Sequence, residues 1–280
     1  MLSLIEPVCR MLDLDPAGAG LQLLPAATLV PPPAPAASGA DRAWSELHGV
    51  GTYPVPLSPF PLLPTGPALL FGLDGSNHAA VVATLRARYP HDHPLSVISR
   101  AGQPDQAVHV TTLDDLAQRA ELADQVWLYL PALPIQADIR GLETLQWVME
   151  RLAGPFGCPW DREQTHATLR AFLLEETHET LEALDAEDWP EVRDELGDVL
   201  LQVVFHAELA RQAGRFDLGD VATAITSKLI RRHPHIFGDV AVSDSAEVLR
   251  NWQAIKATER SEKGQTDRKS LLDGIPATLP

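Results

Sequence analysis

Two acidic pairs, each three residues apart and separated by a break, constrain this chain more than any other feature. Glu176 and Glu179 lie in Glu175-Glu176-Thr177-His178-Glu179, and Glu195 and Asp198 in Glu195-Leu196-Gly197-Asp198. Residues three apart share one face of a helix. Between the pairs the chain runs to Asp188-Trp189-Pro190, which reads as a helix stop and restart. Folded back antiparallel, the two helices bring four carboxylates into the groove between them. Repulsion and partial desolvation there need an offset. A hard divalent cation such as Mg²⁺, which prefers oxygen ligands and commonly serves bound phosphates, supplies one. Glu-rich helices are also commonly plain solvated faces. The second pair on the adjoining helix, with Gly197 permitting close approach, is what favours a metal site.

The chain has 280 residues, enough for two ordinary domains. A formal net charge of -16 argues against a general binder of nucleic-acid polymers or anionic membranes. It leaves room for a small phosphorylated ligand carried in by a metal. Two cysteines, Cys9 and Cys158, make no disulfide framework and suit a reducing compartment. Glu6, Asp13 and Asp15 near the start do not read as a secretory leader, and no apolar run approaches a membrane span. The expectation is a soluble cytoplasmic protein.

The fold class expected is an α+β chain of two domains: a small α/β domain over 1–135, then an all-α antiparallel helix bundle over 136–262. Leu2, Ile5, Val8, Cys9 and Leu12 give a first helical pattern. Residues 25–67 are rich in proline, alanine and glycine and read as an extended linker. Strands are expected at 68–73, 95–98, 108–110 and 125–130, with helices over 79–89 and from Thr112 or Asp114 to Glu121. Gly72-Leu73-Asp74-Gly75-Ser76 reads as a turn, since no Lys-Ser/Thr follows it as a phosphate loop would require. Tyr89-Pro90-His91-Asp92-His93-Pro94, Ala101-Gly102, Thr111-Thr112-Leu113 and Leu128-Tyr129-Leu130-Pro131 resemble the closing half of the tetrapyrrole methylases. The opening half of such enzymes, with its loop for S-adenosylmethionine, has no counterpart, so the resemblance implies a structural or regulatory domain.

Beyond Pro134 the pattern is helical. Asp138 is expected to cap a helix carrying Leu142, Leu145, Val148, Met149 and Leu152. A long acidic helix over 163–186 is expected to bury Leu169, Phe172, Leu173, Leu181 and Leu184. A third, over 191–212, carries Val192, Leu196, Val199, Leu200, Val203 and Phe205. A fourth, over 218–232, presents Val221, Ile225 and Leu229, and a fifth, over 245–260, presents Val248, Trp252 and Ile255. The tail, 263–280, reads as poorly ordered.

Lys228, Arg231 and Arg232 end the fourth helix, and Trp252 and Lys256 are an i,i+4 pair on the fifth. Bases near a helix C-terminus also serve simply to offset its dipole. Beside a carboxylate cluster, however, they suit a polyphosphate, neutralising oxygens beyond the metal's reach. His233-Pro234-His235 reads as a loop with ordinary histidines, and Cys158 as part of a turn. Trp160 either stacks on a base or anchors its loop.

The segments Gly157-Cys158-Pro159-Trp160-Asp161-Arg162-Glu163-Gln164-Thr165, Leu174-Glu175-Glu176-Thr177-His178-Glu179, Asp194-Glu195-Leu196-Gly197-Asp198, Arg231-Arg232-His233-Pro234-His235-Ile236-Phe237 and Trp252-Gln253-Ala254-Ile255-Lys256 together resemble the MazG family of nucleoside triphosphate pyrophosphohydrolases. The resemblance runs over about 138–262. It implies an all-α module, usually a homodimer, that cleaves an NTP or dNTP to the monophosphate and pyrophosphate with Mg²⁺, Mn²⁺ being a substitute. It further implies Glu176, Glu179, Glu195 and Asp198 as metal ligands, with Glu175 orienting water or a second metal. Lys228, Arg232, Trp252 and Lys256 match nucleotide-holding positions, and Arg231 and Trp160 complete the expected substrate set.

Two other readings remain. One is a di-iron bundle, for which Glu175-x-x-His178 supplies one motif but no second precedes His206. The other is a catalytically silent nucleotide-binding or assembly module.

Overall fold

Short apolar runs in the first half build a sheet that is buried on both faces. The structure, a computed structural model, describes residues 2–15, 20–31, 60–119 and 126–262. Two units divide the chain, Met1–Trp147 and Val148–Pro280. Most of the expected proline-rich linker, the end of the expected helix at Glu121, and the tail 263–280 lie outside the described residues.

In the first unit β1 (Gln22–Pro25), β2 (Ala68–Leu73), β3 (Pro94–Ser99), β4 (Ala107–Thr112) and β5 (Val126–Leu130) form one sheet in the order β1-β2-β5-β3-β4. Only the β1–β2 pairing is parallel; β2–β5, β5–β3 and β3–β4 are antiparallel. The expected alternation of strands and helices is therefore realised as a mixed sheet. The short β3–β4 connection, with left-handed backbone at Arg100 and Gly102, forces those strands to be antiparallel neighbours. Successive residues face opposite sides. Leu70, Val97 and Leu128 pack on one face with Val81, Val82 and Leu85 of α2 (His78–Arg86) and Leu113 and Leu116 of α3 (Leu113–Gln118). Leu69, Ile98 and Trp127 pack on the other with Val8 of α1 (Leu2–Met11).

Two expectations are corrected here, on the linker and on Asp138, and one open alternative is decided. The linker assigned to 25–67 is structured at both ends, because the Gln22 amide clamps the approach to β2: Nε2 donates to Leu63 O at 2.8 Å and Oε1 accepts from Leu63 N at 2.7 Å. Thr112, not Asp114, caps α3 by accepting from Asp115 N at 3.2 Å, while Asp114 pairs with Arg86 and His91. Asp138 caps no helix. It is buried, and its carboxylate takes a two-pronged contact from Arg88 at 2.8 and 3.2 Å.

A helix, α4 (Leu142–Ala153), leads into the second unit. There follow α5 (Pro159–Arg162), α6 (Leu169–Asp185), α7 (Trp189–Gln212), α8 (Leu218–Arg232), α9 (Pro234–Phe237) and α10 (Ser245–Glu262). The long acidic helix starts later than its composition suggests, because Thr165 and Thr168 bond each other's backbone and side chain. The break before α7 is tight: Glu187 is left-handed at φ 54°, Asp188 accepts from Glu191 N at 3.3 Å, and Trp189 and Pro190 open the helix. An Asp217–Asp220 capping box starts α8. The His233-Pro234-His235 stretch is a helical turn, α9, rather than a loop.

The apolar residues of α6 and α7 do not all go inward. Leu169, Ala183, Val192 and Phe205 are buried, but Leu173, Leu181, Leu184, Leu196, Leu200 and Val203 are exposed, Leu196 by 53%. Ile225 and Leu229 on α8 are exposed as well. Each helix thus carries a second apolar stripe that the antiparallel hairpin cannot cover.

Arg88→Met should strand the buried Asp138 carboxylate and destabilise the chain by about 3 kcal/mol. The double variant Arg88→Met with Asp138→Leu should recover most of that loss in urea melts.

Candidate metal and nucleotide site

The α6–α7 hairpin decides which carboxylates meet. One oxygen from each of Glu176, Glu179 and Glu195 lies within 4.8 Å of the others. Glu176 and Glu195 are half-buried, and Glu179 is exposed. Asp198, one turn beyond Glu195, faces the same seam closely enough that its charge acts on both Glu176 and Glu195. Glu175 acts more weakly on Glu176, and Glu191, absent from the sequence-derived set, acts on Glu195. A Cβ built on Gly197 would meet nothing within 4 Å, so this glycine is not what lets the two helices approach.

The electrostatics follow from that crowding. Burial pushes the Glu176 carboxyl above the ordinary range, and the charges of Asp198, Glu179 and Glu195 push it further. Burial likewise raises Glu195, followed by the charges of Glu179 and Glu191. One oxygen of Glu195, Oε2, is buried with no hydrogen-bond donor among the described residues. A buried acceptor left unmatched costs free energy, and here it faces a set made only of carboxylates. Oxygen-only donors of this kind suit a hard divalent cation.

A second grouping lies where α8 meets α10. Arg231 and Arg232 both hold Glu259, at 2.6 and 2.5 Å, and these two guanidinium groups depress its carboxyl to about 2. Lys256 Nζ stands 4.4 Å from the centre of the Trp252 ring, and Arg232 Cζ 5.7 Å from it. Lys228 is exposed and forms no ion pair among the described residues. The contacts of these bases are with one another's neighbours rather than with the carboxylates. Trp160, half-exposed, meets Phe172 of α6 edge-on at 5.7 Å.

Two features of the seam are absent from the sequence-derived set. Gln202 is buried on α7, four residues after Asp198; only that spacing hinted at it. Further along, His166 and His206 stack at 3° with their Nδ1 atoms 2.8 Å apart. One Nδ1 donates and the other accepts. Burial, then His166, lowers the His206 pKa. His206 is thus engaged with another histidine, and His178 is exposed, an arrangement unlike the paired Glu-x-x-His sets of di-iron bundles.

Fold and seam together define a helical unit built around a carboxylate cluster. Residues 164–237 match the MazG nucleotide pyrophosphohydrolase domain. The nucleoside triphosphate pyrophosphohydrolase of Escherichia coli is 50% identical over 140 residues, 50% of this chain and 52% of that protein. The nucleoside triphosphate pyrophosphohydrolase/pyrophosphatase MazG of Thermotoga maritima is 48% identical over 135 residues, 48% of this chain and 51% of that protein. The uncharacterized protein YabN of Bacillus subtilis is 38% identical over 210 residues, 74% of this chain and 42% of that protein. The chain thus spans about half the length of these curated relatives. A crystal structure of a mazG-related protein from Thermotoga maritima matches with a TM-score of 0.37 and 27% identity, over 41% of this chain and 99% of that one.

Because Glu176 and Glu195 are raised, the folded metal-free chain holds protons more tightly than the unfolded chain does. Their repulsion is present at neutral pH and is relieved as pH falls towards the ordinary glutamate value of 4.5. Glu195→Gln should therefore melt at a higher temperature than the parent protein at pH 7 in chelator, with the difference shrinking as pH falls. Comparing the two proteins cancels the contribution of carboxylates shifted the other way.

Proposed function

We propose that this chain hydrolyses nucleoside triphosphates, ribo- or deoxyribo-, to the monophosphate and pyrophosphate in a Mg²⁺-dependent reaction, Mn²⁺ serving as a substitute. The observation that carries this reading is the convergence of Glu176, Glu179 and Glu195 within 4.8 Å, with two of the carboxyls raised, inside a MazG domain. The names of the relatives in Escherichia coli and Thermotoga maritima support the same reaction.

Glu176, Glu179, Glu195 and Asp198 would hold the cation, whose chemistry would be to neutralise phosphate oxygens and lower the pKa of water. Glu175, at the edge of the cluster, accepts a hydrogen bond from the attacking water and takes up its proton. Water adds to phosphorus while the bridging bond between the α and β phosphates breaks, releasing pyrophosphate. Positioning and charge stabilisation suffice for this cleavage, so no covalent nucleophile is required. Lys228, Arg231, Arg232 and Lys256 bind phosphate oxygens outside the cation's reach, and Trp252 and Trp160 offer faces to the nucleotide.

The active form is a homodimer in which the exposed stripes of α6 and α7 cover one another. Residues 136–262 form the catalytic module. The domain over 1–135, which resembles the closing half of tetrapyrrole methylases, has a structural or regulatory role. The working compartment is the reducing cytoplasm, and neither a nucleic-acid polymer nor a membrane is a partner.

Purified protein should release pyrophosphate from a panel of NTPs and dNTPs only when a divalent cation is added. Glu176→Ala and Asp198→Ala should each lower kcat/KM by more than about 100-fold, beyond the usual loss for an outer-shell partner of a metal, with an unchanged circular dichroism spectrum. Nucleotide binding without pyrophosphate release would instead identify a silent binding module. Leu196→Asp with Leu200→Asp should convert a sedimenting dimer to monomer and abolish turnover.

A further inference from the structure

The α6–α7 seam continues past the carboxylates to Gln202, whose side-chain oxygen is unmatched among the described residues. Gln202 is 5% exposed, and its Oε1 is buried without a hydrogen-bond donor among the described residues. Buried amide oxygens are nearly always matched, so each exception asks for an explanation.

Its position supplies one. Gln202 follows Asp198 by four residues and Glu195 by seven, so all three lie on one stripe of α7. The helical rise sets Gln202 about 6 Å beyond Asp198 along the axis, roughly the step from a phosphate to the sugar it esterifies. Glu176 and Glu179 meet Glu195 across the seam, and His166, three residues before α6 begins, meets His206 of α7 at 2.8 Å. Counted along antiparallel helices from the Glu176/Glu179–Glu195 contact, Gln202 falls opposite the stretch from Leu169 to Phe172, and Trp160 stands edge-on against Phe172, 52% exposed. Beyond the carboxylates, then, the seam offers an unmatched amide and a half-open indole face.

We infer that Gln202 is the specificity-determining residue for the nucleoside half of the substrate. Its Oε1 accepts a hydrogen bond from a donor on the nucleoside, and the base lies towards Trp160. The three side-chain torsions of glutamine let the amide turn out of its closed position when that donor arrives. The chemistry recognised is a neutral N–H or O–H donor, carried either by a sugar hydroxyl or by a base amino group. The inference rests on the hydrolysis reading above, since it assumes that a triphosphate is held at the carboxylates.

The test compares the parent protein with Gln202→Met, which keeps the side chain's length and removes both polar atoms. The expected result is a KM raised about tenfold, the loss of one neutral hydrogen bond. Inhibition by inorganic tripolyphosphate, which has no nucleoside, should be equal in the two proteins, and the melting temperature should not fall. Loss confined to substrates with a 3′-hydroxyl, judged against 3′-deoxy analogues, assigns the donor to the sugar. Loss confined to particular bases assigns it to the base.

Equal KM values for every nucleotide would overturn the inference and make Gln202 a structural or water-binding residue. So would a change in sedimenting mass, which would mean that a second copy supplies the donor. Parallel loss of tripolyphosphate inhibition would equally overturn it, by tying Gln202 to the cation site. A parent protein that releases no pyrophosphate refutes the hydrolysis reading alone. The same two proteins are then compared for nucleotide binding by calorimetry, where equal affinities overturn the role of Gln202.

Discussion

Repulsion between carboxylates in one narrow seam is the interaction on which the second unit depends. Glu176, Glu179 and Glu195 gather within 4.8 Å, and the charge of Asp198 bears on the same place. Without a counter-charge such an arrangement works against the fold, so the hairpin must be held together by something else. Leu169, Ala183, Val192 and Phe205 do this, together with the capped turn at Asp188. The seam is thus closed by apolar packing against the repulsion of its own charges. The same logic separates it from the α8–α10 contact, where Glu259 is matched by two guanidinium groups and rests well below the ordinary range. One carboxylate is matched by two bases; the other group holds an oxygen, Glu195 Oε2, that is unmatched among the described residues.

The first unit is organised by polar clamps around an apolar sheet. Gln22 fixes the segment that enters β2, and Arg88 holds the buried Asp138 that follows β5. Thr84 Oγ1 donates to Leu29 O at 2.7 Å and draws the short helical turn after β1 onto α2. These contacts join residues tens of positions apart. They explain why β1 pairs with β2 although the long proline-rich stretch lies between them in sequence.

Much of the helical half was legible because its signals are local. Trp189-Pro190 after Asp188 announces a helix start, and the bounds of α8 follow from Asp217 before it and the bases at its end. The i,i+3 spacing of the acidic pairs fixes which faces they occupy, whatever else the chain does. The delayed start of α6 was less visible, because Thr165 and Thr168 prefer to bond each other before the helix begins. Leu173, Leu181 and Leu184 stay exposed, against the expectation that they enter the core, for a different reason. Apolar periodicity marks a face that avoids water, but it does not say whether that face meets its own chain.

The sequence by itself determined the elements of the second unit and the residue types of its seam, since helix phase depends only on spacing along the chain. The tertiary structure decided which side chains are neighbours. It buried Gln202, joined His166 to His206, gave Asp138 to Arg88 instead of a helix end, and left Gly197 facing open space. Such pairings depend on how two elements lie against each other, and that is settled by the sum of many weak packing contacts rather than by any short stretch of residues.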